Sequence, residues 1–258
     1  MNVVVFGGTF WDVFIYGNRP HDVEILELPG GSGLNIAFGL YKLGHSVCFF
    51  SNIGSDWRGT ELLKKLSENG LSTYGLTIRE GKTGHHIALN DTPIGVDRGV
   101  NRLNIEFDND TLKNADIVVI NSEIPVESIY KICSKAEKLC FIDLGPRFVI
   151  DTSKLRKLSK AKLILIGNEK ECEKEGCDVI KMGSKGASWK GVTVEGDLQN
   201  YPFKVGAGDI FDVVLIDSFL KGLDKRTCLE RAVTISQTAA KEIKGAFSKM
   251  MILEQQSG

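Results

Sequence analysis

The feature that most constrains this chain is a regular alternation of short apolar runs and helical stretches over its second half. Strand-like segments at 116–121, 140–144, 162–166 and 178–181 each run four to six residues. Those at 116–121, 140–144 and 162–166 are followed by helical patterns at 126–139, 153–159 and 170–175. Two further helices at 209–220 and 226–243 close the series, after a hairpin that runs from strand 178–181 through Thr193. Strands separated by helices need right-handed crossovers, which produce a mostly parallel sheet covered on both faces. Ligands in such folds lie beyond the carboxyl ends of the strands, where the glycine-rich turns of this sequence fall.

The first half reads less regularly. Strands are expected at 2–6, 12–16, 23–28 and 46–50, with helices at 33–43 and 57–68. From 71 to 98 the pattern has a period of two and is broken by glycines, which predicts an antiparallel flap outside the core layer. The expected architecture is therefore a single α/β domain over 1–258, with small β lid segments at about 13–28 and 83–100. Residues 255–258 read as a frayed tail.

Charge narrows the function classes. A formal net charge of −1 lacks the basic excess that a general nucleic-acid or membrane-surface binder requires. No apolar run approaches the ~20 residues needed to span a bilayer, and Met1–Gly8 lacks a basic leader and a cleavage site. A cytoplasmic location is expected. The six cysteines show neither C-x-x-C spacing nor histidine partners at zinc-site spacing, so buried free thiols are expected.

Four segments carry chemistry. In Val205-Gly206-Ala207-Gly208-Asp209-Ile210-Phe211, small residues precede an apolar helix and leave backbone N–H groups open to an anion. Asp209 could accept a proton there, or could simply cap the helix. In Gly30-Gly31-Ser32-Gly33-Leu34-Asn35, the glycines allow a close backbone approach and Asn35 offers a donor and an acceptor. The other reading is a glycine turn with a solvated Asn35. Asn168 and Glu171 lie one helical turn apart, suiting either a hydrated Mg²⁺ or an ordinary acidic helix start. Gly183, Lys185 and Gly186 follow a strand and suit either a nucleotide cradle or a hairpin turn.

Two familiar phosphate-binding patterns are missing: there is no G-x-x-x-x-G-K-[ST], and no dinucleotide fingerprint follows the first strand. His85 and His86 fall on opposite faces of a strand, a poor metal pair.

In this order the four segments resemble the ribokinase-like carbohydrate kinases. Gly30-Gly31-x-Gly33-x-Asn35-x-Ala37 with Leu43-Gly44 is similar to the family's N-terminal signature, and Gly206-Ala207-Gly208-Asp209-x-Phe211 to its C-terminal one. Asn168-x-x-Glu171 is similar to its magnesium–phosphate motif. The resemblance implies a three-layer sandwich and ATP-dependent transfer of the γ-phosphoryl group to a sugar hydroxyl. Asp209 would be the base, and Gly206, Ala207 and Gly208 the anion hole. Asp12, Gly31, Asn35 and Arg98 would bind the acceptor. Asn168, Glu171, Gly183, Lys185 and Gly186 would serve ATP, with Glu171 also serving Mg²⁺.

The resemblance leaves a nucleoside kinase, or a binding protein without catalysis, as alternatives. Ser32 stands where ribokinases and the phosphofructokinases of this family often carry lysine, which disfavours a phosphorylated acceptor, and a free sugar or sugar derivative is the first expectation. The segment 97–101 and the early ending near Ala239-Ala240-Lys241 are similar to short fructosamine-type kinases. A lid-to-lid homodimer is a further expectation, since exposed strand edges invite pairing. Where relatives carry an Asp-Thr pair linked to a potassium site, this chain has Phe203-Lys204-Val205. Little potassium dependence is therefore expected, with Lys204 as the substitute charge.

Overall fold

A computed structural model describes residues 1–145 and 150–253. In chain order, β1 (Asn2–Phe6), β2 (Phe10–Arg19) and β3 (Asp22–Gly30) precede α1 (Ser32–Lys42). Next come β4 (Ser46–Gly54), α2 (Trp57–Glu68), β5 (Leu76–Arg79), β6 (Gly84–Leu89) and β7 (Thr92–Asp97). The alternating half follows as α3 (Asn109–Asn114), β8 (Ile117–Asn121), α4 (Val126–Lys135), β9 (Leu139–Asp143) and α5 (Thr152–Leu158). It continues with β10 (Lys162–Asn168), α6 (Glu169–Glu175), β11 (Val179–Lys181), β12 (Gly186–Trp189) and β13 (Val192–Glu195). The chain then folds into α7 (Ala207–Leu220), α8 (Lys225–Glu242) and α9 (Ala246–Met251).

The main sheet has the order β13-β12-β11-β10-β9-β8-β1-β4-β5. It is parallel from β5 to β11 and turns antiparallel at β12 and β13. Successive residues of β1 face opposite layers. Val3 and Val5 pack with Leu34, Phe38, Ile210 and Val213 beneath α1 and α7, while Val4 and Phe6 pack with Ile129, Ile132 and Leu112 beneath α4 and α3. Two cores on the two faces of one sheet make the three-layer sandwich expected of the sequence.

A second sheet, β3-β2-β6-β7, stands apart from the first. Within it β2 and β6 run parallel and the outer pairs antiparallel. The expected flap at 71–98 is corrected here: β5 is the edge strand of the main sheet, parallel to β4, and only 84–97 join the small sheet. Four alternating residues are too few for periodicity to tell a core edge from a lid. The short helices α3 and α9 were not anticipated, because six residues carry too little pattern to read.

The cysteine reading is also corrected. Cys172 and Cys177 form a disulfide, with Cα atoms 5.2 Å apart. Helix α6 ends at Gly176, whose φ of 66° turns the chain back so that Cys177 lies against Cys172. Cys48, Cys133, Cys140 and Cys228 are free. The expected tail at 255–258 lies outside the described residues.

Candidate active site

The crossovers bring the two glycine segments together. Asp209 lies in the first turn of α7 behind Gly206, which adopts φ 82° and starts the helix from a left-handed conformation. The Asp209 carboxylate is only 8% exposed, and its Oδ2 accepts a 2.7 Å bond from the Asn35 amide. Burial raises its pKa, aided by Asp143 and opposed by hydrogen bonds from Asn35 and Ser32 and by the Lys181 charge. A carboxylate tuned upward is better matched to taking a proton near neutral pH. Asn35 Oδ1 is buried with no partner among the described residues, an acceptor available to a hydroxyl.

The opposite wall comes from the small sheet. Asp12 on β2 is buried and faces His86 on β6, its Oδ1 lying 3.6 Å from Nδ1. Burial alone would lower the His86 pKa, but Asp12 outweighs it and the ring is held above its usual value. Gly30 is required beside it, since a Cβ there would overlap the Asp12 carboxyl group. Gly31, at φ 97°, packs against the Gly8 carbonyl at the start of α1. Glu123, on the turn after β8, lies near the N–H of Gly33 at 3.4 Å. Burial, with Asp209 and Asp12 nearby, pushes its carboxyl up to about 8. Arg98 donates to the carbonyls of Glu123 (2.7 Å) and Asn101 (3.0 Å), so its guanidinium braces the Glu123 turn.

Below Asp209 opens a cleft of about 640 Å³, lined by Asn168, Glu171, Gly183, Gly186, Lys181 and Gly208 among others. Asn168 caps α6 in a reciprocal arrangement. Its Oδ1 accepts from the Glu171 N–H at 3.0 Å, and the Glu171 carboxylate accepts from the Asn168 backbone (2.7 Å) and side chain (2.6 Å). Burial raises the Glu171 pKa. The structure does not bring Lys185 into this cleft: its ammonium pairs with Glu169 on the surface, 3.4 Å away. Lys204 lines the cleft from an exposed position, and the buried lysine on its wall is Lys181, which donates to Asp212 at 2.9 Å and to Asp143 at 3.5 Å. Burial alone would lower its pKa, but the two aspartates more than offset that and keep it charged. Ala207 is committed as well, its N–H closing a turn onto the Lys204 carbonyl at 3.0 Å. Gly208 and Asp209 are the first-turn residues whose N–H groups have no intrahelical acceptor.

Asp143, Lys181, Glu123 and His86 were not assigned to the site from the sequence. Asp143 and Lys181 both end parallel strands, β9 and β11, and that position was the available signal. Glu123 and His86 gave none, since each owes its place to a different sheet.

A deep cleft beside a helix-start glycine turn, faced by a buried carboxylate and a polar wall, defines a phosphoryl-transfer class of α/β enzyme. Known proteins agree. The profile of the pfkB family carbohydrate kinases matches residues 2–175. The chain belongs to this family, whose members are ATP-dependent sugar kinases. It is 25% identical over 279 residues to a ribokinase of Bacillus subtilis, covering 93% of this chain and 91% of that protein. In fold it matches Arabidopsis thaliana ribokinase complexed with ribose and ATP, at a TM-score of 0.77 and 20% identity over 99% and 98% of the two chains. It also matches a nucleoside kinase of Methanocaldococcus jannaschii, at a TM-score of 0.76 and 18% identity over 99% and 98%.

Proposed function

We propose that the protein transfers the γ-phosphoryl group of ATP to a hydroxyl of a free sugar or sugar derivative, with Asp209 as the base. The acceptor O–H proton passes to the Asp209 carboxylate, its oxygen bonds to the γ-phosphorus, and the bond to the β-phosphate oxygen breaks, releasing ADP. The observation that carries this reading is the position of Asp209. It is enclosed at a helix start, held by Asn35 on the acceptor side and open to the cleft through Gly208. In-line transfer depends mostly on positioning and charge stabilisation, and a rigid helix terminus supplies both.

The wall around the acceptor favours a neutral polyol. Asp12, Glu123 and Asp209 supply carboxyl oxygens for acceptor hydroxyls, and the His86 ring on this wall is already paired with Asp12, so a phosphorylated acceptor gains little there. On the nucleotide side, Asn168, Glu171, Gly183 and Gly186 hold ATP, and Lys181 takes the place first assigned to Lys185. Mg²⁺ keeps most of its waters and needs only one or two carboxylates plus phosphate oxygens, which Glu171 and Asp143 on the cleft wall suit. When bound, it neutralises charge on the phosphates.

The small sheet acts as a lid over the acceptor within a single catalytic domain. Its outermost strand, β7, exposes Ile94 and Val96 along its whole length, and we assign this edge to pairing with a second copy. No helix among the described residues is long and apolar enough to cross a membrane. Dependence on ATP assigns the enzyme to the cytoplasm.

The test is ADP release on a panel of sugars, Amadori sugars and nucleosides. Fastest turnover on a sugar supports the reading, and fastest turnover on a nucleoside makes this a nucleoside kinase of the same fold. ATP binding without ADP release on any acceptor would leave a binding protein.

A further inference from the structure

Among the described residues Lys249 is the only lysine with no exposed surface. It lies on α9, and its ammonium donates to the carbonyls of Ile243 at 2.7 Å and Gly245 at 3.5 Å. Those carbonyls belong to the connector between α8 and α9, and the first residue of α9, Ala246, packs on the glycine turn. A Cβ placed on Gly206 would lie 2.6 Å from the Ala246 Cα. The other side of the turn is tied down too. Phe203 donates to the Ala240 carbonyl at 3.0 Å, and the Val205 N–H donates to Asp91 Oδ2 at 2.5 Å. Asp91, in the turn between β6 and β7, also accepts from the Tyr16 hydroxyl at 3.0 Å.

A fully enclosed ammonium is expensive unless it is paired or hydrogen-bonded, and here backbone carbonyls take its protons. Burial pulls Lys249 down to about 8, while Asp91 and Asp209 hold it up, so it remains mainly protonated at neutral pH. Carbonyl oxygens around a compact cation are the ligands that an alkali-metal ion takes, here filled by a side chain that cannot leave. Lys204, the sequence's first candidate for such a charge, is exposed at the mouth of the cleft.

We propose that the Lys249 ammonium is a tethered monovalent cation, fixed beneath the Gly206–Asp209 turn, which sets the turn for phosphate and makes the enzyme independent of added potassium. Lys249 is a positioning residue, since it acts through the connector and the turn. Its effect on rate rests on the phosphoryl-transfer reading above, whereas its occupancy of a cation site does not.

The experiment compares the native protein with Lys249→Ala and Lys249→Met in potassium, sodium and tetramethylammonium chloride at matched ionic strength. Thermal midpoints and steady-state rates on the best acceptor are both recorded. Native midpoint and rate are expected to be flat across the three salts. Lys249→Ala is expected to lose about tenfold or more in kcat in tetramethylammonium, with a smaller change in KM, because the turn loses the charge that sets it. Potassium should then restore most of the rate and raise the midpoint of this variant, by entering the emptied oxygen site. Lys249→Met fills the space without charge and should stay slow in every salt.

A selective rise of the native rate with potassium overturns the proposal, and that measurement needs no variant to fold. So does an alanine variant that is as fast as native in tetramethylammonium, or one whose rate and midpoint ignore potassium and sodium. If the native protein phosphorylates no acceptor, the functional reading fails, while the midpoint series still tests the cation site.

Discussion

The side-chain amide of Asn35 meets the carboxylate of Asp209 at 2.7 Å, across 174 residues of sequence. This contact joins the two glycine-rich segments into one site, pairing the group that would orient an acceptor hydroxyl with the group that would take its proton. It also separates two explanations of Asp209. A helix cap needs only its own N–H groups, whereas a base must be held toward the substrate.

Replacing Asp209 by Asn is expected to lower kcat by about 10²–10⁴, the usual worth of general-base help, with little change in thermal midpoint. Asn caps a helix about as well as Asp, so a cap alone would lose almost nothing. A loss below tenfold on the best acceptor would assign the proton to another group.

Asn35→Ala should move the acid limb of the kcat/KM profile to higher pH. The amide's hydrogen bond stabilises ionised Asp209 and lowers a pKa that burial has raised, so its loss lets the pKa rise further. Because the base works deprotonated, activity then appears only at higher pH. An acid limb that stays in place, or shifts downward, would mean that Asn35 does not tune the base.

Glu123 gives a stability prediction with a definite sign. Its carboxyl titrates at about 8 in the folded chain, above the 4.5 it has unfolded. The folded state therefore holds a proton that the unfolded state has lost. The stability linked to it is full below pH 4.5 and declines as pH rises toward 8. Urea unfolding of Glu123→Gln between pH 5 and 8 should show a flatter decline than the native protein. Parallel curves would remove Glu123 as the source.

The lid makes two measurable claims. Hydrogen exchange over β2, β3, β6 and β7 should slow when the true acceptor binds, because closure excludes water from the reacting groups. Unchanged exchange at saturating acceptor counts against a closing lid. Sedimentation should give a dimer, and Ile94→Lys should shift it to monomer by charging the exposed β7 edge. A native monomer at working concentration ends the pairing claim.

Much of this molecule was legible from local pattern. The apolar runs of β8, β9 and β10 and the helices between them follow from periodicity, since hydrogen bonds and side-chain direction within an element depend on near neighbours. The Asn168–Glu171 capping box is equally local, two residues three positions apart in one turn. The glycine turns announced where a ligand could approach, and their order carried the family resemblance.

What the sequence could not rank was its lysines. Lys185 and Lys204 stand inside or beside the motifs and looked suited to carry charge, yet the fold leaves both exposed. Lys181 opens the fourth segment without having been given its charge, and Lys249 sits in a stretch without a motif, yet the fold encloses one against Asp143 and Asp212 and the other under the glycine turn. Enclosure depends on which distant elements pack over a residue. The same is true of β5 at the edge of the main sheet, Cys177 against Cys172, and Glu123 beside the Gly33 N–H. The sequence determined the elements and the turns that open the site. Tertiary structure decided which charges lie inside it, because burial and electrostatic field are sums over neighbours that only the crossovers bring together.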